Sequence, residues 1–127
     1  MKITKQEEYG LRCILQLARA GPGRAISVTE ISKTEGLSAD YVTKLLVLLR
    51  KTGLVVSVRG MNGGYTLKSR PEQISMGEVM RSLGGFFYPK DLCSEYPGKL
   101  DACSHMGNCG IRPIWNIVVK EIYTTLN

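Results

Sequence analysis

Cys93, Cys103 and Cys109 lie close together in "CSEYPGKLDACSHMGNCG", with nine residues between the first two and five between the last two. Thiolates are soft ligands suited to iron–sulfur clusters or zinc. Structural zinc sites usually carry a CxxC knuckle, and no such pair occurs here. Three widely spaced thiols fit a larger cluster better than zinc. Thiols that pair under oxidation are the other chemistry open to them.

The fourth cysteine, Cys13, has a different setting. In "GLRCILQLA" it shares one helical face with Gly10, Ile14, Leu17 and Ala18, so a buried, inert thiol is expected. The segment holding the other three is rich in glycine, serine and charge, and other elements must position it.

Those elements announce themselves by their caps. Thr4-Lys5-Gln6-Glu7 has the form of a capping box and opens a helix that Gly21-Pro22-Gly23 stops. The same pattern recurs at Ser27–Glu30 and Ser75–Glu78. The second helix ends at Gly36. Ser38 then caps a third, with the apolar stripe Val42, Leu45, Leu46 and Leu49 and a left-handed terminus at Gly53. Two helices joined by a tight glycine turn form a helix-turn-helix pattern.

Next comes "LVVSVRGMNGGYTLK", in which two β-rich runs flank glycines that tolerate positive φ, as a hairpin needs. Three helices followed by a hairpin make a winged helix. After a fourth helix, ending at Gly84-Gly85, and the cysteine segment, Pro113 suits the first turn of a last helix. Its apolar residues Ile114, Trp115, Ile117, Val118, Val119 and Ile122 cover more than one stripe, which points to a second copy of the chain as partner. The fold class expected is mainly α with a small β-hairpin wing. A winged helix-turn-helix domain spans 1–85, the cysteine-bearing segment 86–112 and a long dimerisation helix 113–127.

Charge agrees with this division. Residues 1–70 hold 12 Lys/Arg against 5 Asp/Glu, a net +7, whereas residues 71–127 net −1. The first half is built to meet a polyanion. In a winged helix the third helix enters the major groove, which makes Ser38, Asp40, Tyr41, Thr43 and Lys44 the candidate DNA readers. Arg50 and Lys51 fall late on that helix, near backbone, and Arg59 at the wing tip suits a minor groove. Paired copies would face half-sites about 34 Å apart. With one histidine, His105, and no nucleophile–base pair, an enzyme is disfavoured. A small electron-transfer protein is the remote alternative. No apolar run is long enough to span a membrane, and "MKITKQEEYG" lacks the apolar stretch of a signal peptide, so the cytoplasm is the expected compartment.

"LRKTGLVVSVRGMNGGYTL", "MKITKQEEYGLR" and the late cysteines together resemble the IscR/NsrR-type family of bacterial winged-helix regulators. The likeness spans nearly the whole chain, and "VRG-x-x-GGY" is its specific part. The resemblance implies a homodimer crossed at the C-terminal helices, acting at promoters on double-stranded DNA. It also implies an iron–sulfur cluster, [2Fe-2S] or [4Fe-4S], held by Cys93, Cys103 and Cys109. The iron–sulfur biogenesis regulators use a histidine three residues past the last cysteine, where this chain has Arg112, which cannot ligate. The nitric oxide sensors use an acidic residue of the partner's first helix, which corresponds to Glu8. Glu8 is therefore the preferred fourth ligand, with Glu7 and His105 as rivals. The resemblance favours control of iron–sulfur biogenesis genes. Nitric oxide or redox sensing, and a cluster-free regulator of cysteine metabolism, are the alternatives. In each cluster-bound version, metal–thiolate bonds would order residues 90–112 and set the spacing of the two recognition helices.

Overall fold

The computed structural model describes residues 2–21, 23–84 and 112–127. The chain forms two compact units, Lys2–Gly84 and a C-terminal one.

The first unit begins with helix α1, Lys5–Ala20. Its capping box is complete. The Thr4 hydroxyl accepts from the Glu7 N–H at 3.2 Å, and the Glu7 carboxylate accepts from the Thr4 N–H at 3.1 Å. Helix α2 covers Val28–Glu35 and α3 covers Ala39–Lys51. Ser27 makes only the hydroxyl half of the box, accepting from the Glu30 N–H, while Glu30 itself is exposed. Gly36, at φ +68°, ends α2 in the left-handed conformation. Ser38 caps α3 by accepting from the Tyr41 N–H at 3.2 Å. Beyond Thr52, Gly53 takes φ +86° and turns the chain toward the sheet.

The wing is an antiparallel pair, β1 (Val55–Val58) and β2 (Gly64–Leu67), registered from Val55 opposite Leu67 to Val58 opposite Gly64. Ile26 adds a one-residue third strand. Its N–H donates to the Tyr65 carbonyl at 2.9 Å, and the Tyr65 N–H returns the bond at 2.8 Å. The wing is thereby tied to the start of α2. A 3₁₀ turn over Pro71–Gln73 leads to α4, Met76–Ser82, whose Ser75/Glu78 capping box closes at 3.0 and 3.1 Å.

The core of this unit is formed by Cys13, Leu17, Ile31, Val42, Leu45, Leu46, Leu49, Val55, Val79 and Leu83. It draws on every helix of the unit and on β1, and the expected α3 stripe lies at its centre. A side chain at Gly10 would collide with Leu83, so glycine is what permits α1 and α4 to approach this closely. The Gln6 side-chain amide reinforces that approach by donating to the Leu83 carbonyl at 2.7 Å.

The C-terminal unit contributes α5, Arg112–Leu126, with Pro113 in its first turn, where the missing N–H is not needed. Val119 is buried, while Ile114, Trp115, Ile117 and Val118 are exposed. Among the described residues no helix is long and apolar enough to cross a membrane.

Candidate nucleic-acid interface and the α1 carboxylates

The outer face of α3 carries the residues expected to read DNA. Asp40, Thr43 and Lys44 are exposed on its first half, and Arg50 and Lys51 on its last turn. The Thr43 hydroxyl donates to the Ala39 carbonyl at 2.8 Å, which leaves its methyl and oxygen lone pairs for a ligand. The Ser38 oxygen is engaged as the cap of α3, although its O–H can still donate. Asp40 lies in the first turn, where the helix dipole favours negative charge.

Tyr41 is held differently from its neighbours. Its ring is half-buried and meets Tyr9 edge-on, with centroids 6.0 Å apart and planes at 89°. Tyr41 thus anchors α3 to α1, on the half of α3 that the sequence reading expects to meet DNA. No local pattern signals this pairing, because Tyr9 is 32 positions away.

Arg59 is exposed at the end of β1, where the wing turns. The turn closes with the Gly63 N–H donating to the Gly60 carbonyl at 3.0 Å. Gly60 takes φ +114°, and a side chain at Gly63 would strike the Val58 and Gly60 carbonyls. The two glycines are therefore required by geometry. Arg24 joins Met61, Asn62 and Gly63 in lining a hollow of about 450 Å³ between the α1–α2 connection and the wing tip. Sequence reading passed over Arg24. A lone arginine between glycine and alanine carries no local signal, and only the Ile26–Tyr65 bridge brings its segment to the wing. Among the described residues, Arg24, Lys44, Arg50 and Arg59 engage no carboxylate in an ion pair, so their charge is free to meet phosphate.

The two adjacent carboxylates of α1 differ sharply. Glu7 is buried and bound within the capping box, so using it as a ligand would uncap the helix. Glu8 has half its side-chain surface exposed and pairs with Arg12 at 3.0 Å. Arg12 also lies over the Tyr9 ring, 5.2 Å from its centroid. An exposed i,i+4 pair is worth only about 0–1 kcal/mol, so the Glu8 carboxylate is easily released to a stronger partner. Cys13 is fully buried, and burial, with Glu35 adding to it, pushes its thiol up to about 11. It stays protonated and unreactive near neutrality. Cys93, Cys103, Cys109 and the rival ligand His105 lie outside the described residues.

Residues 3–127 match the model of the Rrf2 family, described as an iron-dependent transcriptional regulator. The protein rrf2 of Nitratidesulfovibrio vulgaris is 35% identical over 127 residues, covering all of this chain and 82% of that protein. The HTH-type transcriptional regulator CymR of Bacillus subtilis is 38% identical over 100 residues, 78% of this chain and 72% of CymR. Among solved structures, that of CymR, the global cysteine regulator of B. subtilis, superposes with a TM-score of 0.75 at 29% identity, covering 99% of this chain and 89% of CymR. T. potens IscR gives a TM-score of 0.73 at 29% identity, covering 99% of this chain and 80% of IscR. The winged-helix architecture and the family expected from the sequence are both established by these matches.

Proposed function

The chain belongs to the Rrf2 family of transcriptional regulators, and from that premise we propose that it grips operator DNA as a cytoplasmic homodimer and reads iron–sulfur status through Cys93, Cys103 and Cys109. Regulators of this family bind DNA; they are not enzymes. The observation that carries the finer reading is the grouping of three thiols, in sequence, between the winged unit and α5, in a family described as iron-dependent.

On this reading Lys44 and Thr43 reach base edges, with Ser38, Asp40 and Tyr41 beside them, while Arg50, Lys51 and Arg59 engage the DNA backbone and minor groove. The exposed apolar residues of α5 pack against a second copy. The three thiolates hold a [2Fe-2S] or [4Fe-4S] cluster, and Glu8 of the partner subunit completes its ligand set. Exposure and a weak ion pair support Glu8 for this role, and the capping box argues against Glu7. A carboxylate is a harder and more exchangeable ligand than thiolate, which suits a site that must respond to iron supply, oxygen or nitric oxide. Cluster-dependent control of iron–sulfur biogenesis genes is the regulated outcome proposed.

Reconstitution with iron and sulfide without air tests this reading. The intact protein is expected to turn brown, with thiolate-to-iron charge-transfer absorption. Cys93→Ser, Cys103→Ser and Cys109→Ser should each lose it, and Glu8→Gln should leave a more easily bleached centre. Full colour in all three cysteine variants would end the cluster reading.

A second reading is favoured by one finding, the likeness to the global cysteine regulator CymR. A cluster-free regulator of cysteine metabolism would bind DNA as a colourless protein, with equal affinity before and after reconstitution.

A further inference from the structure

We propose that Met61, at the tip of the wing, is an apolar wedge that enters the DNA minor groove and makes binding depend on how readily the base step beneath it unstacks. The inference rests on the DNA-binding reading above and adds to it a residue that senses deformability.

Met61 is 105% exposed, more than in an extended peptide, so it contributes no packing to the fold. Turn positions are normally filled by glycine, asparagine, aspartate, proline or serine, each for a conformational reason that methionine cannot supply. Leaving an apolar side chain wholly in water is unfavourable compared with any apolar contact it could make. The turn presents Met61 firmly. The Gly63-to-Gly60 hydrogen bond closes it, the Ile26–Tyr65 bridge ties its base to the start of α2, a side chain at Gly63 or Gly64 would strike backbone, and Gly60 takes φ +114°.

The surroundings of the tip select the partner. Arg59 lies two residues before it, Asn62 follows it, and Arg24 lines the hollow at its base together with Glu30. Two cations that form no ion pair among the described residues, against the one carboxylate of Glu30, suit a polyanion rather than an apolar protein surface. The asparagine amide can meet the acceptors on the floor of an A·T minor groove. Between these polar groups stands an unbranched, polarizable thioether that can adapt to a narrow gap. Apolar side chains placed in this way insert between base steps and kink the duplex toward the major groove. Pyrimidine–purine steps yield most readily to such insertion, and uninterrupted A-tracts resist it.

The test begins with a duplex selected by the intact protein from a randomised pool about 30 base pairs long, enough for two half-sites a helical turn apart. The minor-groove segment under the wing is located by hydroxyl-radical footprinting. It is then replaced by TTTAAA, which holds a central TA step, or by AAATTT, which has the same composition and none. Affinities of the wild type and Met61→Ala are measured for both duplexes by fluorescence anisotropy. The wild-type preference for TTTAAA over AAATTT should fall by about fivefold or more in Met61→Ala, the lower end of what one base position is worth. Arg59→Ala should move the ratio the other way, since narrow uninterrupted tracts attract arginine. A Met61→Ala variant that weakens both duplexes equally, or neither, overturns the wedge. Failure of the intact protein to enrich any duplex overturns the DNA-binding reading itself.

Discussion

The unit over Lys2–Gly84 and the helix α5 treat their apolar residues in opposite ways. In the first, apolar residues from four helices and a strand are sealed into one core, and both its first and last helices are closed by complete capping boxes. In α5, Ile114 and Ile117 keep 58% and 64% of their surface in water. The winged unit seals a core while leaving Ile3, Leu15, Val56, Val58, Met61 and Met76 exposed around it, whereas in α5 Val119 is buried and the exposed apolar residues outnumber it. The winged unit is built to be rigid and to present a charged face. On the proposed reading, a second copy would cover the exposed apolar residues of α5 and supply the paired half-site reader.

Substitutions can break this contrast. The largest effect is expected from Leu46→Ala, which removes a fully buried side chain from the centre of the core. It should cost about 2–5 kcal/mol in urea unfolding followed by circular dichroism. A cost below about 1 kcal/mol would mean that α3 is far less firmly held than its burial implies. Next is the pair Ile114→Ala with Ile117→Ala. Burying an isoleucine is worth about 1.5–3 kcal/mol, so the double variant should raise the dimer dissociation constant by at least an order of magnitude in sedimentation equilibrium. An unchanged dimer would place the interface elsewhere. The smallest is Thr4→Ala, which removes the hydroxyl cap of α1 and should cost about 1 kcal/mol by the same unfolding measurement.

These expectations draw unevenly on the sequence. Helix ends were legible because caps are local: Thr4 and Glu7, Ser75 and Glu78, and the left-handed Gly36 each act within four residues of one another. The wing was legible because glycines cluster between its β-rich runs, although the positive φ falls at Gly60 and Gly64 rather than at the expected Asn62-Gly63. Long-range partnerships were not. Nothing near Ile26 marks it as a third strand, since a single residue shows no alternation. Nothing near Tyr41 points to Tyr9, or near Arg24 to the wing tip. Resemblance alone favours Glu8 over its neighbour Glu7 as a ligand, and burial and hydrogen bonding give the two a physical difference that the sequence does not show. At Ser27 the pattern promised more than the structure delivers: the hydroxyl half of the box forms and the Glu30 carboxylate half does not.

The residues proposed to face DNA divide in the same manner. Lys44, Arg50 and Arg59 were identifiable from charge and position, and they are exposed as that reading requires. Ser38 and Tyr41 also carry structural duties that charge and position do not reveal. Substituting either would disturb the setting of α3, so its effect on DNA binding would mix recognition with fold. Lys44 and Arg59 are the cleaner probes. Replacing Arg59 by alanine should lower the salt dependence of binding by about one unit of slope for each phosphate it neutralises, while Lys44→Ala should relax base preference at the position it reads.

The central claim is that loading the three clustered thiols changes the grip of the winged unit on DNA. Its most direct test is anaerobic anisotropy on one protein preparation, measured before and after reconstitution, against a single selected duplex at fixed salt. A coupling of about 1–3 kcal/mol predicts a change of roughly five- to a hundredfold in dissociation constant. The change should vanish in Cys103→Ser. Identical curves for loaded and unloaded protein, or an equal change in Cys103→Ser, would contradict the claim.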